Sequence, residues 1–326
     1  MPTGSRENPE APAHGWRGVR ALPLVLLLVL ASLPLAPASG AMDLEVQVGG
    51  ETAHGLLALP QGGPQAIVAI LHGYGHKAES HRGHLEHLAA QGYVAFAMDY
   101  RGEGFPLRAG ADDTIAATQH VMSLFPEVDV VVLYSVSMGT AVAGMVLAEL
   151  PVFSYWVDNE GLADLPELHT EASLLAPANA FAAKAIADME AECGGAPALA
   201  PACYLERSAA FRAGEFSGLH GVVLTHGVND GLVPYDQGRE MQAALHLAGI
   251  PSDFYTVVRS APGGEGTTIT GYSPSGGMGL AGHGTENDDA HALTSLSFAL
   301  LDQVLAGVLV PSGQERVADA ELGTLS

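Results

Sequence analysis

Polar and apolar residues alternate from the first patterned stretch of the chain. Asp43-Leu44-Glu45-Val46-Gln47-Val48 reads as a half-buried strand, Gly49-Gly50 as a turn, and residues 52–59 as its hairpin partner, stopped by Pro60. The period then changes. Residues 66–71, 93–98 and 130–134 are continuous apolar runs, the pattern of strands covered on both faces. Residues 152–157, 221–225 and 252–258 continue the series of strands. Helical segments are expected at 80–90, 111–124, 141–147, 236–247 and 290–305. Strands that alternate with helices after a hairpin predict an α/β fold with a doubly wound, mostly parallel sheet.

One stretch breaks the rhythm. Residues 158–218 hold Pro166, Pro177, an Ala-rich helical run at 178–189 and both cysteines, with no strand–helix repeat. They are expected to form a helical lid insertion. It divides the core into an N-terminal part, residues 42–157, and a C-terminal part, residues 219–310. A Gly/Ser-rich loop is expected at 260–282. Residues 311–326 are polar and are expected to be a flexible tail.

Residues 1–41 have the pattern of an export signal. Arg6, Arg17 and Arg20 precede or enter an apolar run at 21–35, and Ala36-Pro37-Ala38 offers small residues to a peptidase. The run is short and broken by Pro23 and Pro34, so no stable membrane span is expected once the signal is cleaved. The expected destination is the periplasm or the exterior. There Cys193 and Cys203, ten positions apart, are expected to pair. Two cysteines are too few for a structural zinc site.

Composition narrows the partners. The 326 residues are 48% hydrophobic, enough for a sizeable core. The formal net charge of −23 excludes phosphate backbones, so no nucleic acid is expected. Only Lys77 and Lys184 are lysines. Oligomeric state is not readable from these features.

The chemistry lies at the ends of the predicted strands, where doubly wound sheets bind ligands. Val130 to Tyr134 runs into Ser135-Val136-Ser137-Met138-Gly139, and a helical pattern follows at once. Strand, sharp turn and helix lift a central hydroxyl above the sheet, which makes Ser137 the candidate nucleophile. The pentad carries Ser135 where the G-x-S-x-G pattern has its first glycine. A nucleophilic serine needs a base and a group to orient it. Asp230, in His226-Gly227-Val228-Asn229-Asp230-Gly231-Leu232-Val233-Pro234, is the candidate acid, with Asp158 and Glu160 as fallbacks. Two histidines, His283 and His291, lie between the last strand and the last helix. The glycines flanking His283 favour it as base. Backbone amides of Met138 and Tyr74 are the candidate oxyanion donors.

These motifs resemble those of the α/β-hydrolases. His72-Gly73-Tyr74 resembles the oxyanion loop of that family and Asp99-Tyr100-Arg101-Gly102-Glu103-Gly104 its D-x-R-G-x-G turn. Residues 135–139 resemble the nucleophile elbow and the phrase around Asp230 the acid loop. The resemblance spans residues 43–308 apart from the insertion. It implies a triad of Ser137, Asp230 and His283 and an acyl-enzyme on Ser137, with no cofactor. A small-molecule carboxylic ester is the expected substrate. The alternatives are a serine peptidase of prolyl-peptidase type and a non-catalytic hydrolase-fold binding protein.

Two further signals carry less. His72, His76, His81, His84 and His87 cluster, and His81, His84 and His87, three apart on the expected helix, are expected to form a solvated face rather than a metal site. Gly263-Gly264-Glu265-Gly266 does not lead a strand directly into a helix, so it is not expected to bind phosphate.

Overall fold

In the computed structural model the described residues are 40–258, 282–284, 291–319 and 324–325. The expected export segment, the Gly/Ser-rich loop and Gly263 to Gly266 lie outside them, apart from residues 40–41 and 282. Among the described residues no helix is long and apolar enough to cross a membrane.

Strand β1 (Met42–Val48) and strand β2 (Glu51–Ala58) form the antiparallel hairpin. Gly49 and Gly50 both have positive φ, which the tight turn requires. Then come β3 (Ile67–Leu71), α1 (Arg82–Ala90), β4 (Val94–Met98), α2 (Leu107–Leu124), β5 (Val131–Val136) and α3 (Gly139–Glu149). Next are β6 (Tyr155–Asn159), α4 (Leu165–Leu175), α5 (Ala180–Cys193), α6 (Pro201–Glu206) and α7 (Ala209–Arg212). The described chain closes with β7 (Gly221–Gly227), α8 (Tyr235–Leu247), β8 (Ser252–Val258), α9 (Ala292–Leu305), β9 (Glu315–Asp319) and the short β10 (Thr324–Leu325).

All ten strands join one sheet in the order β1-β2-β4-β3-β5-β6-β7-β8-β9-β10, parallel from β4 through β9. The order explains the apolar runs. Ile67, Ala69 and Leu71 of β3 enter one core, with α2, α3 and α8. Val68 and Ile70 enter a second core across the sheet, with α1 and α9. A strand with helices on both faces has no polar side to show. Each large side chain buried this way, Trp156 and Tyr134 among them, stabilises the fold by roughly 1.5–3 kcal/mol.

The chain between β6 and β7 is helical. Asp164 caps α4 by accepting from Glu167 N at 2.9 Å, and Asn179 caps α5 by accepting from the amides of Phe181 and Ala182. Each cap contributes about 1 kcal/mol. Gly194 ends α5 in the left-handed region. Cys193 and Cys203 are disulfide-bonded, joining the end of α5 to α6.

Three expectations are corrected. Strand β6 is displaced from the predicted 152–157 to Tyr155–Asn159, so Asp158 lies inside the sheet. The sequence there shows apolar Val152 and Phe153 first, but those residues turn into the strand and pack from the loop. The tail is not loose where described: β9 pairs parallel with β8. Asp253 Oδ1 anchors it by accepting from the amides of Ser312, Gly313 and Gln314 at 2.8–2.9 Å. Strand β9 is polar because it is half-exposed near the sheet margin. The histidine stripe is solvated only in part, at His87. His72 and His81 are buried, and His84 stacks on Phe298 at 3.8 Å.

Candidate active site

The elbow follows from strand β5 meeting helix α3 without a linker. Ser137 sits between them with φ 53°, a strained conformation for a side chain-bearing residue. Such strain costs about 1–3 kcal/mol and collects at functional positions. Ser137 N donates to Asn159 O at 2.9 Å, and Leu162 N donates to Ser137 O at 3.4 Å, so β6 and the turn after it hold the elbow. Gly139 has no room for a side chain: a Cβ there would stand 2.4 Å from Leu71 O. The first turn of α3 is thereby pressed against the end of β3 and the loop that follows it.

Ser135 replaces a glycine yet fits, because a polar pocket receives it. Its hydroxyl donates to Asp158 Oδ1 at 2.7 Å and accepts from Trp156 Nε1 at 2.8 Å. Thr140 also donates to Asp158. Burial pushes the Asp158 carboxyl up to about 7, against the pull of the Thr140 and Ser135 hydrogen bonds.

The loop after β3 supplies Tyr74. Tyr100 supports this loop, with its ring stacked on His72 at 3.9 Å and its hydroxyl donating to His72 O at 3.2 Å. Arg101 in the adjoining turn is a structural residue, held by Asp113 and Glu51. The Tyr74 hydroxyl donates to Asp188 of α5, and burial followed by that bond raises its pKa to about 12. Neither the Tyr74 nor the Met138 amide has a backbone acceptor among the described residues.

Asp230 lies in the turn after β7. Its Oδ1 accepts from Leu232 N at 2.8 Å and Val233 N at 2.9 Å, which leaves Oδ2 to accept from His283 Nδ1 at 2.7 Å. Glu160, in the turn after β6, reaches the same nitrogen: Oε2 is 3.0 Å from His283 Nδ1. All three side chains are buried. Burial alone would raise the Asp230 carboxyl, but the His283 charge and hydrogen bond outweigh it, with His226 and Val233 N–H adding to them, and pull it down. Burial opposes a charged imidazole at His283, and Asp230 with Glu160 more than offsets this, raising it well above its usual value. Glu160 is pushed up to about 7, by burial first, with the nearby Asp230 charge adding to it. His291, the other candidate base, instead stands at the start of α9, where Nδ1 accepts from Leu293 N at 3.4 Å.

Ser137 and Asp230 line one cavity of about 150 Å³, with Tyr74, Met138, Leu168, Phe181, Ala185 and Met189 among its walls. Its lining is mostly apolar, contributed largely by α4 and α5. Glu171 is one of its polar residues. It faces the cavity with a raised pKa, caused by burial and then by neighbouring carboxylates, and its Oε2 has no partner among the described residues. Among the described residues two groups of three have ligand atoms within 4.8 Å of one another, Glu160-Asp230-His283 and Asp164-Glu167-Glu240. In the first, hydrogen bonds within the group already occupy the imidazole nitrogen. The second is a set of half-exposed carboxylates.

Asp158 and Glu160, the two fallback acids, thus have separate places: Asp158 bonds Ser135 inside the sheet, and Glu160 reaches His283. The one signal of this in the sequence was the pair of acids at the close of the β6 run, beside Gly161. A Cβ on Gly161 would stand 2.3 Å from Thr140 Oγ1.

Comparison with known proteins agrees with this fold. The Hydrolase_4 family, described as serine aminopeptidase, S33, matches residues 62–154. A puromycin-hydrolysing peptidase of Mycobacterium tuberculosis superposes with a TM-score of 0.59 at 16% identity, over 88% of this chain and 42% of that one. An acylaminoacyl peptidase of Pyrococcus horikoshii superposes with 0.56 at 15% identity, over 83% and 42%. The esterase Pf2001 of Pyrococcus furiosus gives 0.50 at 18% identity, over 66% and 80%. The chain thus spans about two fifths of the length of the peptidases it matches. No curated protein sequence matches it. At these identities the likeness establishes the fold, which is that of the α/β-hydrolases. Within that fold the elbow carries Ser137, and the turns after β6 and β7 bring Glu160 and Asp230 to His283.

Proposed function

We propose that the protein is an exported carboxylesterase that forms an acyl-enzyme on Ser137. The observation that carries this reading is the joint placement of the strained Ser137 and of Asp230, bonded to His283, on one mostly apolar cavity. Asp230 fixes the proton on Nδ1, leaving Nε2 of the imidazole to take the proton of the serine hydroxyl. Ser137 Oγ attacks the carbonyl carbon, and the Met138 and Tyr74 amides receive the oxyanion. The imidazolium then returns the proton to the departing alcohol. Water, activated by the same imidazole, releases the acid. In this reading α4 to α7 act as a lid over the acyl group, and export follows from residues 1–41. The partner is a small-molecule ester. Hydrolysis of p-nitrophenyl esters by wild type, lost in Ser137→Ala, tests the proposal. Equal activity in both proteins contradicts it.

Glu171 favours a second reading. A carboxylate without a partner in the cavity wall suits a substrate bearing a cation, as an aminoacyl group does, and would make the enzyme a peptidase or amidase. Aminoacyl p-nitroanilides compared with p-nitrophenyl esters separate the two. Faster cleavage of the anilides, reduced in Glu171→Gln, would favour the peptidase.

A further inference from the structure

Glu160 is an expensive residue to keep. It has φ 55°, is fully buried, and is followed by a glycine that tolerates no Cβ. A buried carboxylate held in that conformation persists only when its surroundings fix it. They do so here on several sides. Glu160 N donates to Thr225 O at 2.9 Å. Asn159 Nδ2 donates to Oε1 at 3.0 Å, and Asn159 Oδ1 in turn accepts from Thr225 Oγ1 at 2.6 Å. Gly284 N, one residue past the imidazole, donates to Oε2 at 2.8 Å and lies 3.0 Å from Oε1. Glu160 therefore holds the backbone of the His283 loop as well as facing its ring.

From this geometry we infer that Glu160 is a second positioning residue for the base: its carboxylate and that of Asp230 converge on His283 Nδ1 from separate strand ends and jointly hold the imidazole. The inference rests on the hydrolase reading of Ser137. It differs from the fallback role first considered for Glu160, since neither acid replaces the other. Two carboxylates and one imidazole cannot all carry full charge in a buried site without leaving one charge uncompensated. The raised values of Glu160 and His283 accord with this crowding of charge. His226, whose pKa burial lowers, is bonded through Nε2 to Val233 O and faces Asp230 at 3.5 Å. His291 lies behind the loop, close to Gly284. Among the described residues, Asp230 and Glu160 in the turns after β7 and β6 and His226 at the end of β7 are the titratable groups that act on the imidazole.

The consequence is a base active only above the ordinary histidine range, because a neutral imidazole is required and both carboxylates favour the charged form. Glu160→Gln keeps an acceptor for Gly284 N and removes one negative charge. The test is titration of His283 by NMR in ring-labelled wild type and Glu160→Gln, beside the pH profile of kcat/KM. The expected result is a fall of about one unit in the imidazole pKa, with the acidic limb of the profile moving down equally. An unshifted imidazole, or a shifted one with an unmoved limb, overturns the inference. Should Glu160→Gln not fold, Glu160→Asp withdraws the carboxylate from Nδ1 and is read in the same way. Fluorophosphonate labelling of wild type keeps the two ideas apart. An unlabelled wild type contradicts the hydrolase reading, whereas a labelled Glu160→Gln with an unshifted imidazole contradicts the role of Glu160 alone.

Discussion

Ser135 and Asp158, 23 residues apart and on adjacent strands, share a buried 2.7 Å hydrogen bond beneath the nucleophile elbow. Parallel pairing sets Ser135 opposite Asp158 in the sheet, and Trp156, on the same face of β6, closes the pocket from one side. A glycine in place of Ser135 would leave both partners short of a bond. Ser135→Ala should therefore destabilise the protein by about 1–3 kcal/mol, the cost of an unsatisfied buried polar group. Urea denaturation measures it, and an unchanged midpoint would remove Asp158 from the account.

The same carboxyl makes stability depend on pH. Its folded pKa of about 7 lies above the ordinary unfolded value near 3.9, so the native state binds a proton that the unfolded state has released. Stability from this group is fully present below about pH 4 and is lost as pH rises through 7. Asp158→Asn should flatten that part of the stability curve, leaving contributions of the same sign from other raised carboxyls such as Glu160 and Glu240. Denaturation at pH 5 and pH 8 provides the comparison.

Gly139→Ala should abolish most activity while leaving a folded protein. The added Cβ, 2.4 Å from Leu71 O, forces the elbow away from the end of β3 and hence from the Tyr74 amide. Misplacement on the order of an ångström costs about a hundredfold in rate. Steady-state kinetics, with circular dichroism as the check on folding, measures it.

The Cys193–Cys203 bond closes a short loop between α5 and α6. Its removal should cost about 2–3 kcal/mol in the chain-entropy view. A thiol reductant should lower the denaturation midpoint of wild type and leave a Cys193→Ala, Cys203→Ala double variant unmoved.

Ala185 on α5 faces the cavity that holds Ser137. Filling it with Ala185→Phe should discriminate by acyl length. Each methylene excluded from an apolar pocket is worth about 1–3 kcal/mol, so kcat/KM for long-chain esters should fall at least about tenfold relative to acetate. Equal losses for all chain lengths would move the acyl site elsewhere.

The core strands were legible because burial on both faces writes itself as continuous apolar runs, as at Ile67–Leu71. The elbow was legible because its strand, turn and helix are contiguous. What escaped was non-local. Asp158 and Glu160 acquire their meaning from Ser135, Thr140 and His283, far away in the sequence. The tail strand Glu315–Asp319 lacks an apolar run because its partner and the Asp253 anchor, rather than core burial, hold it. The histidines after β3 looked solvated because a period of three suggests an exposed stripe. Phe298, from the last helix, covers His84.

The central claim is that Ser137 is an activated nucleophile, and a fluorophosphonate reacts with such a serine without regard to the natural substrate. Intact-mass analysis after exposure should find one adduct on wild type, mapped to Ser137, and none on Ser137→Ala, with labelling of His283→Ala strongly slowed. A wild-type protein that gains no adduct, or gains it at another residue, would contradict the account.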